Sequence, residues 1–113
     1  MTAARETGVK PKILFVDDEP DILEGLRLML YSKRADWDMT FAGGGSEALT
    51  LLRKIPHDVV VTDMRMPGMD GAQLLHAVQT EWPETVRMIL SGYSDQESVM
   101  RTVKLAHQYL SKP

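Results

Sequence analysis

The sequence predicts a doubly wound α/β fold on a parallel sheet, and three observations carry that prediction. Short apolar runs alternate with amphipathic helical patterns along almost the whole chain. Two of the runs, Ile13-Leu14-Phe15-Val16 and Val59-Val60-Val61, are continuously apolar, as in strands covered on both faces. Each ends on carboxylates: Asp17-Asp18-Glu19 after the first and Asp63 after the second. In such folds ligands bind beyond the carboxyl ends of the strands.

Residues 1–11 read as a polar, frayed lead-in. Lys12 to Val16 forms the first strand. Pro20 suits the first position of a helix, with Ile22, Leu26, Met29 and Leu30 on its inner face. Trp37 to Phe41 alternates apolar with polar residues, as an edge strand does. Gly43-Gly44-Gly45 makes a turn and Ser46 an N-cap, and Ala48, Leu49 and Leu52 are the buried stripe of a second helix that Pro56 ends.

Val59 to Val61 is the third strand. A helix from about Gly71 to Trp82 then buries Leu74, Leu75 and Val78 before Pro83. Val86 to Leu90 is a fourth strand. Ser94 and Glu97 form a capping box for a fourth helix, with Val99, Met100 and Val103 inward. His107 to Leu110 is the fifth strand, and the βαβαβαβαβ order implies right-handed crossovers.

Composition narrows the function. A chain of 113 residues holds one domain, and its 43% hydrophobic and 26% charged residues are ordinary for a globular protein. A net charge of −3 without a basic run argues against nucleic-acid binding by this domain. The absence of cysteine excludes disulfides and thiolate metal sites and fits a reducing compartment. No apolar stretch approaches the roughly 20 residues that cross a bilayer, and the N-terminus lacks the core of a secretion signal. A cytoplasmic location is expected.

Acidic side chains gathered over buried strand ends cost free energy unless a cation or a proton compensates them. Asp17, Asp18, Asp63, Ser91 and Lys112 all fall at the same predicted edge, which makes it a candidate metal site beside a reactive carboxylate.

These residues carry a resemblance. From Lys12 to Pro113 the chain resembles the receiver domain of bacterial two-component response regulators. The matching motifs are Ile-Leu-Phe-Val-Asp17-Asp18-Glu19, Val-Val-Val-Thr-Asp63-Met-Arg-Met-Pro67-Gly-Met-Asp70-Gly71, Leu-Ser91-Gly92 and Tyr109-Leu-Ser-Lys112-Pro113. Each falls at a strand end, in the family's order.

The resemblance implies a flavodoxin-like five-stranded sheet of order 2-1-3-4-5, with residues 12–113 as the domain. It implies Asp63 as the phosphoacceptor, taking its phosphoryl group from a phosphohistidine on a sensor histidine kinase. Mg²⁺ would be held by Asp17, Asp18, Asp63 and the backbone carbonyl of Arg65. Ser91 and Lys112 would contact the phosphoryl group, Tyr109 would be an aromatic switch, and Lys112-Pro113 matches a family cis peptide. Arg65 and Tyr93 overhang the site, where bulk is expected to slow hydrolysis, while Gly92 keeps the approach open.

The output would be a changed surface on the fourth helix and fifth strand. The stretch after Leu90 and the segment His107 to Pro113 are similar to receivers that precede HD-type or HDOD output domains.

Two departures from the family stand out. Leu105-Ala106-His107 replaces a common Gly-Ala pair. Receivers continue past Lys-Pro into a fifth helix, whereas this sequence ends at Pro113. Apolar surface near Leu14 and Leu110 is therefore expected to be uncovered. Self-association is expected, through that face or through the fourth helix and fifth strand.

Plainer roles exist for several residues. A strand-end aspartate can simply cap a helix, Ser91 can be a turn residue, and Tyr109 can be a packed aromatic. Met64, Met66 and Met69 suit loop packing or a partner surface. His57, His76 and His107 have no ligand spacing and are expected at the surface or half-buried. The glycine triplet lacks the Lys-Ser/Thr of a phosphate loop. Two other function classes compete. One is a Mg²⁺-dependent phosphatase of the haloacid dehalogenase kind, disfavoured because Asp63 follows the third strand and no cap domain exists. The other is an interaction domain with a decayed site, disfavoured because every site residue is present.

Overall fold

A computed structural model describes residues 10–91 and the backbone of residues 108–111; of Ser91 too, only the backbone is described. Strand β1 (Lys12–Val16) lies inside the sheet, parallel to β2 (Asp38–Ala42) on one side and to β3 (Val59–Thr62) on the other. β4 (Val86–Ser91) pairs with β3, and β5 (Gln108–Ser111) pairs with β4. The order β2-β1-β3-β4-β5 is the one expected. β2 begins and ends one residue later than its alternation suggested, and the described part of β5 extends to Ser111, one residue past the expected end.

Helix α1 (Pro20–Met29) opens on proline, whose missing N–H costs nothing in a first turn. Its inward stripe runs through Ile22, Leu23, Leu26 and Leu30. Met29, expected on that face, is 56% exposed. The helix ends there and Leu30 turns the chain into a 3-10 turn at Tyr31–Lys33, so of the two only Leu30 packs inward as expected.

Helix α2 (Gly45–Lys54) buries Ala48, Leu49 and Leu52 as expected, but Ser46 is not its cap. Gly44 occupies that place without a side chain. Glu47 Oε1 accepts instead from the Gly43 N–H at 2.8 Å, so the carboxylate supports the helix entry from inside.

Helix α3 (Gly71–Glu81) has a full capping box. Asp70 Oδ1 accepts from the Gln73 N–H at 2.8 Å, and Gln73 Oε1 accepts from the Asp70 N–H at 2.9 Å. Leu74, Leu75 and Val78 are buried. Replacing Asp70 by alanine leaves a helix-end donor without its carboxylate, and a loss of about 1 kcal/mol is expected in urea denaturation. No change in the midpoint would refute this role for the cap.

The pleat divides the core between two layers. Leu14, Val16, Ala42 and Val60 pack under α2 and α3 with Leu49, Leu52, Leu74 and Val78. Ile13, Phe15, Val61 and Leu90 face the other way, towards Leu26 of α1. Leu14 itself is therefore not uncovered, contrary to expectation, and the Leu110 side chain lies outside the described residues. Alternation along β1 turns Leu14 to the α2–α3 side, where it has no exposure. On the α1 side, Pro11, Phe15, Val61, Met88 and Leu90 line an apolar groove of about 540 Å³.

His57 also departs from expectation, being buried just before β3. Its Nδ1 lies 2.8 Å from the Ile55 carbonyl, and its own carbonyl accepts from Thr85 Oγ1 at 2.8 Å. Those two bonds satisfy polar groups that burial would otherwise penalise. His76 is exposed on α3. The fourth helix expected from Ser94 and Glu97, the Leu105-Ala106-His107 segment and the Lys112-Pro113 bond lie outside the described residues. No described helix is long and apolar enough to cross a membrane.

Candidate functional site

The ladder that builds the sheet also aims its carboxylates. Val16 of β1 is opposite Thr62 of β3, so the next residues, Asp17 and Asp63, leave the sheet side by side. Backbone pairing continues one step past both strands. The Asp17 N–H donates to Ala42 O at 3.1 Å, and the Asp63 N–H donates to Val16 O at 2.8 Å. Both aspartates are thus held by β-ladder hydrogen bonds rather than by loop conformation.

Asp17 and Asp63 are 1% and 3% exposed, and Asp18 is half-buried. Carboxylate oxygens from the three, one from each, all lie within 4.8 Å of one another. The Glu19 N–H donates to Asp17 Oδ1 at 3.0 Å, which fixes that carboxylate at the entry to α1.

The loop after Asp63 is anchored by methionine and shaped by glycine. Met64 and Met66 are buried, so packing is their role, and Met69 packs partly buried against the core under α2 and α3. Gly68 follows Pro67 with φ +76°, a left-handed conformation that a side chain would strain.

Three residues that sequence reasoning passed over complete this support. Thr62, fully buried, donates its hydroxyl to the Asp63 carbonyl at 2.9 Å. Gly71 begins α3 with its N–H on Met64 O at 2.8 Å, and a Cβ there would strike the backbone of Asp63 and Met64. Gly45 lies so close to Met69 that a Cβ would approach its Sδ at 2.7 Å. A signal existed for Gly71, since a glycine at the first helical position after a capping aspartate gives up helix propensity for some local reason.

Of the other expected site residues, Arg65 is exposed two places beyond Asp63. Thr62 is opposite Ile89, and Ser91 of β4 is opposite Ser111 of β5. The backbone of Ser91 is therefore at the same carboxyl edge as Asp63. Tyr109 is opposite Ile89 on β5. The side chains of Ser91 and Tyr109, and all of Gly92, Tyr93 and Lys112, lie outside the described residues.

The acidic cluster fits a hard divalent cation. All its donors are carboxylate oxygens, the set preferred by Mg²⁺, Ca²⁺ and Mn²⁺, and it holds no imidazole or thiolate to favour zinc or copper. Two nearly buried carboxylates and a half-buried third repel one another, so a cation among them gains what the site otherwise loses.

A parallel sheet of this order, with carboxylates clustered beyond its central strands, defines a doubly wound α/β domain with a candidate cation site at its carboxyl edge. The chain belongs to the response regulator receiver domain family, whose model matches residues 13–113. It is 37% identical over 103 residues to a hydrogenase transcriptional regulatory protein, HoxA, of Cupriavidus necator, covering 89% of this chain and 21% of that protein.

Among solved structures it is similar to a receiver domain from Clostridium thermocellum, with a TM-score of 0.81 and 31% identity over 91% of this chain and 82% of that one. It is likewise similar to the receiver domain of an HD domain-containing protein from Pseudomonas fluorescens, with a TM-score of 0.79 and 31% identity, covering 92% and 83% of the two chains. The chain spans 21–22% of the length of the HoxA relatives it matches. It is a signalling phosphoacceptor domain of two-component systems rather than an enzyme of the phosphatase kind.

Proposed function

We propose that Asp63 accepts a phosphoryl group from the phosphohistidine of a sensor histidine kinase, in a Mg²⁺-dependent reaction that switches the surface of the fourth helix and β5. The observation that carries this reading is the cluster of Asp17, Asp18 and Asp63, with Asp63 nearly buried at the end of a central strand. A carboxylate nucleophile has no proton to remove, so the site needs no general base. One Asp63 oxygen attacks phosphorus in line with the departing imidazole nitrogen. The O–P bond forms as the P–N bond breaks.

Phosphoryl transfer asks a protein chiefly for positioning and charge neutralisation. Asp17 and Asp18, with Asp63 and the Arg65 carbonyl, would hold Mg²⁺, which when bound offsets charge on the phosphoryl oxygens. Ser91 would donate its hydroxyl to one of those oxygens. Lys112 would bring an ammonium that follows the group from carboxylate to acyl phosphate. Tyr109 would turn inward as Ser91 moves, and the new charge would thereby reach the partner surface. The partner downstream is an output domain or a second copy of the chain. A relative whose receiver belongs to an HD domain-containing protein supports an output domain of that kind. Such a pathway is cytoplasmic.

The test is intact-mass measurement after incubation with Mg²⁺ and acetyl phosphate. One phosphoryl adduct is expected, absent with EDTA and absent in Asp63→Asn. Followed over time, the adduct should decay faster in the Arg65→Ala/Tyr93→Ala variant, and an unchanged lifetime would remove the shielding role of those residues. No adduct on the parent chain would sink the reading in favour of a decayed interaction domain. Steady turnover of phosphomonoesters would sink it in favour of an enzyme.

A further inference from the structure

We propose that the outer edge of β2, together with the basic and aromatic cleft beside it, binds an extended acidic segment of a partner protein as an added strand. β2 is at the edge of the sheet. The Asp38 N–H donates to Pro11 O and the Ala42 carbonyl accepts from the Asp17 N–H, so these residues turn inward to β1. The backbone groups of Met39 and Phe41, one place out of phase, turn outward. Such an edge offers alternating donors and acceptors that only another peptide backbone matches.

Beside it lies a cleft of about 340 Å³ whose walls include Lys10, Arg27, Arg34, Tyr31, Trp37 and Phe41. Three cations around it sit on aromatic faces. The Arg34 guanidinium is 3.7 Å from the Tyr31 ring centre, the Arg27 guanidinium is 4.7 Å from that of Phe41, and Lys33 Nζ is 5.9 Å from that of Trp37. About one such contact per 70–80 residues is usual, so three between residues 27 and 41 mark this patch out.

The rings hold the positive groups at the surface, on a chain whose net charge is −3. Local acids offset part of this charge, and Asp38 itself lines the cleft, but the cations outnumber them there. Glu24 Oε1 is 3.3 Å from Arg27 Nε, and Asp38 is taken up by Lys12 Nζ at 2.9 Å. Lys10 Nζ donates to the Arg34 carbonyl at 3.3 Å and keeps its charge at the cleft. The cleft lies towards the amino ends of β1 and β2, away from Asp63, so its use does not depend on the phosphoacceptor. A nucleic acid would satisfy the cations but brings no backbone donors and acceptors at strand spacing. An acidic peptide satisfies both.

The probe is a fluorescent peptide of about eight residues alternating glutamate and valine, followed by anisotropy. Saturable binding is expected, weakened about tenfold by Arg27→Glu/Arg34→Glu and by raising salt from about 50 to 300 mM. Methylating alternate backbone nitrogens of the probe should weaken it to a similar degree on the unaltered chain, which decides the matter even if the variant unfolds. No binding, equal binding of a lysine–valine peptide, indifference to methylation, or displacement at lower concentration by a thymidine octanucleotide would each overturn the proposal.

Discussion

Asparagine at both Asp17 and Asp18 is expected to raise the melting temperature of the metal-free domain and to remove most of its stabilisation by Mg²⁺. Carboxylate oxygens of Asp17, Asp18 and Asp63 lie within 4.8 Å of one another, and Asp17 and Asp63 are shielded from water. For two full charges at that separation, an effective dielectric constant near 20 gives a repulsion of about 3 kcal/mol. Neutralising two of the three removes that repulsion with little change of shape, because an amide oxygen can still accept from the Glu19 N–H. The same change deprives a cation of its charged ligands. For the parent chain, Mg²⁺ at a hundred times its dissociation constant adds about 2.7 kcal/mol. The variant should therefore melt above the parent in EDTA and rise far less than the parent when Mg²⁺ is added. An equal rise with Mg²⁺ in both would show that the cluster does not hold the ion.

The acidic site was legible from sequence because two physical signals coincide there. A run such as Val59-Val60-Val61 belongs in a covered parallel strand, and a carboxylate after such a strand must leave the sheet at one edge. Once both runs are strands, neighbouring positions for Asp17 and Asp63 follow from topology. What the sequence left unread depended on which way a residue turns in three dimensions. Met29 and Leu30 both fit the apolar period of α1, yet the chain leaves the helix there and only Leu30 packs inward. Leu14 and Ile13 are equally apolar, and only the assembled layers decide which of them meets α2 and α3. Ser46 has capping chemistry, but the turn formed by the glycines starts α2 one residue before it. His57 is polar in composition and buried in fact, since the Ile55 carbonyl engages its ring and the Thr85 hydroxyl donates to its own carbonyl. Periodicity reports that a residue faces a core. It does not say which core, or where a helix stops.

Gly71→Ala is expected to cost about 3 kcal/mol or more in urea denaturation and to slow phosphorylation from acetyl phosphate at least tenfold. The added Cβ would fall on the Asp63 carbonyl oxygen, 2.9 Å from Met64 Cα and 3.1 Å from the Asp63 carbonyl carbon. All three obstacles are backbone, so no side-chain rotation relieves them. Either α3 moves out, breaking the bond from the Gly71 N–H to Met64 O, or the Asp63–Met64 peptide moves and takes the carboxylate with it. Gly45→Ala is the control. The three atoms nearest its Cβ all belong to Met69, Sδ at 2.7 Å and Cβ and Cγ at 2.9 Å; the outer part of that side chain can swing aside, leaving only its Cβ to shift with the loop. A cost nearer 1 kcal/mol and an unchanged rate are expected there. Equal losses in the two variants would mean that crowding in general, rather than the seating of Asp63, is what glycine 71 prevents. Unequal losses with only Gly71→Ala slow would tie the reactivity of the carboxylate to the first residue of the helix behind it.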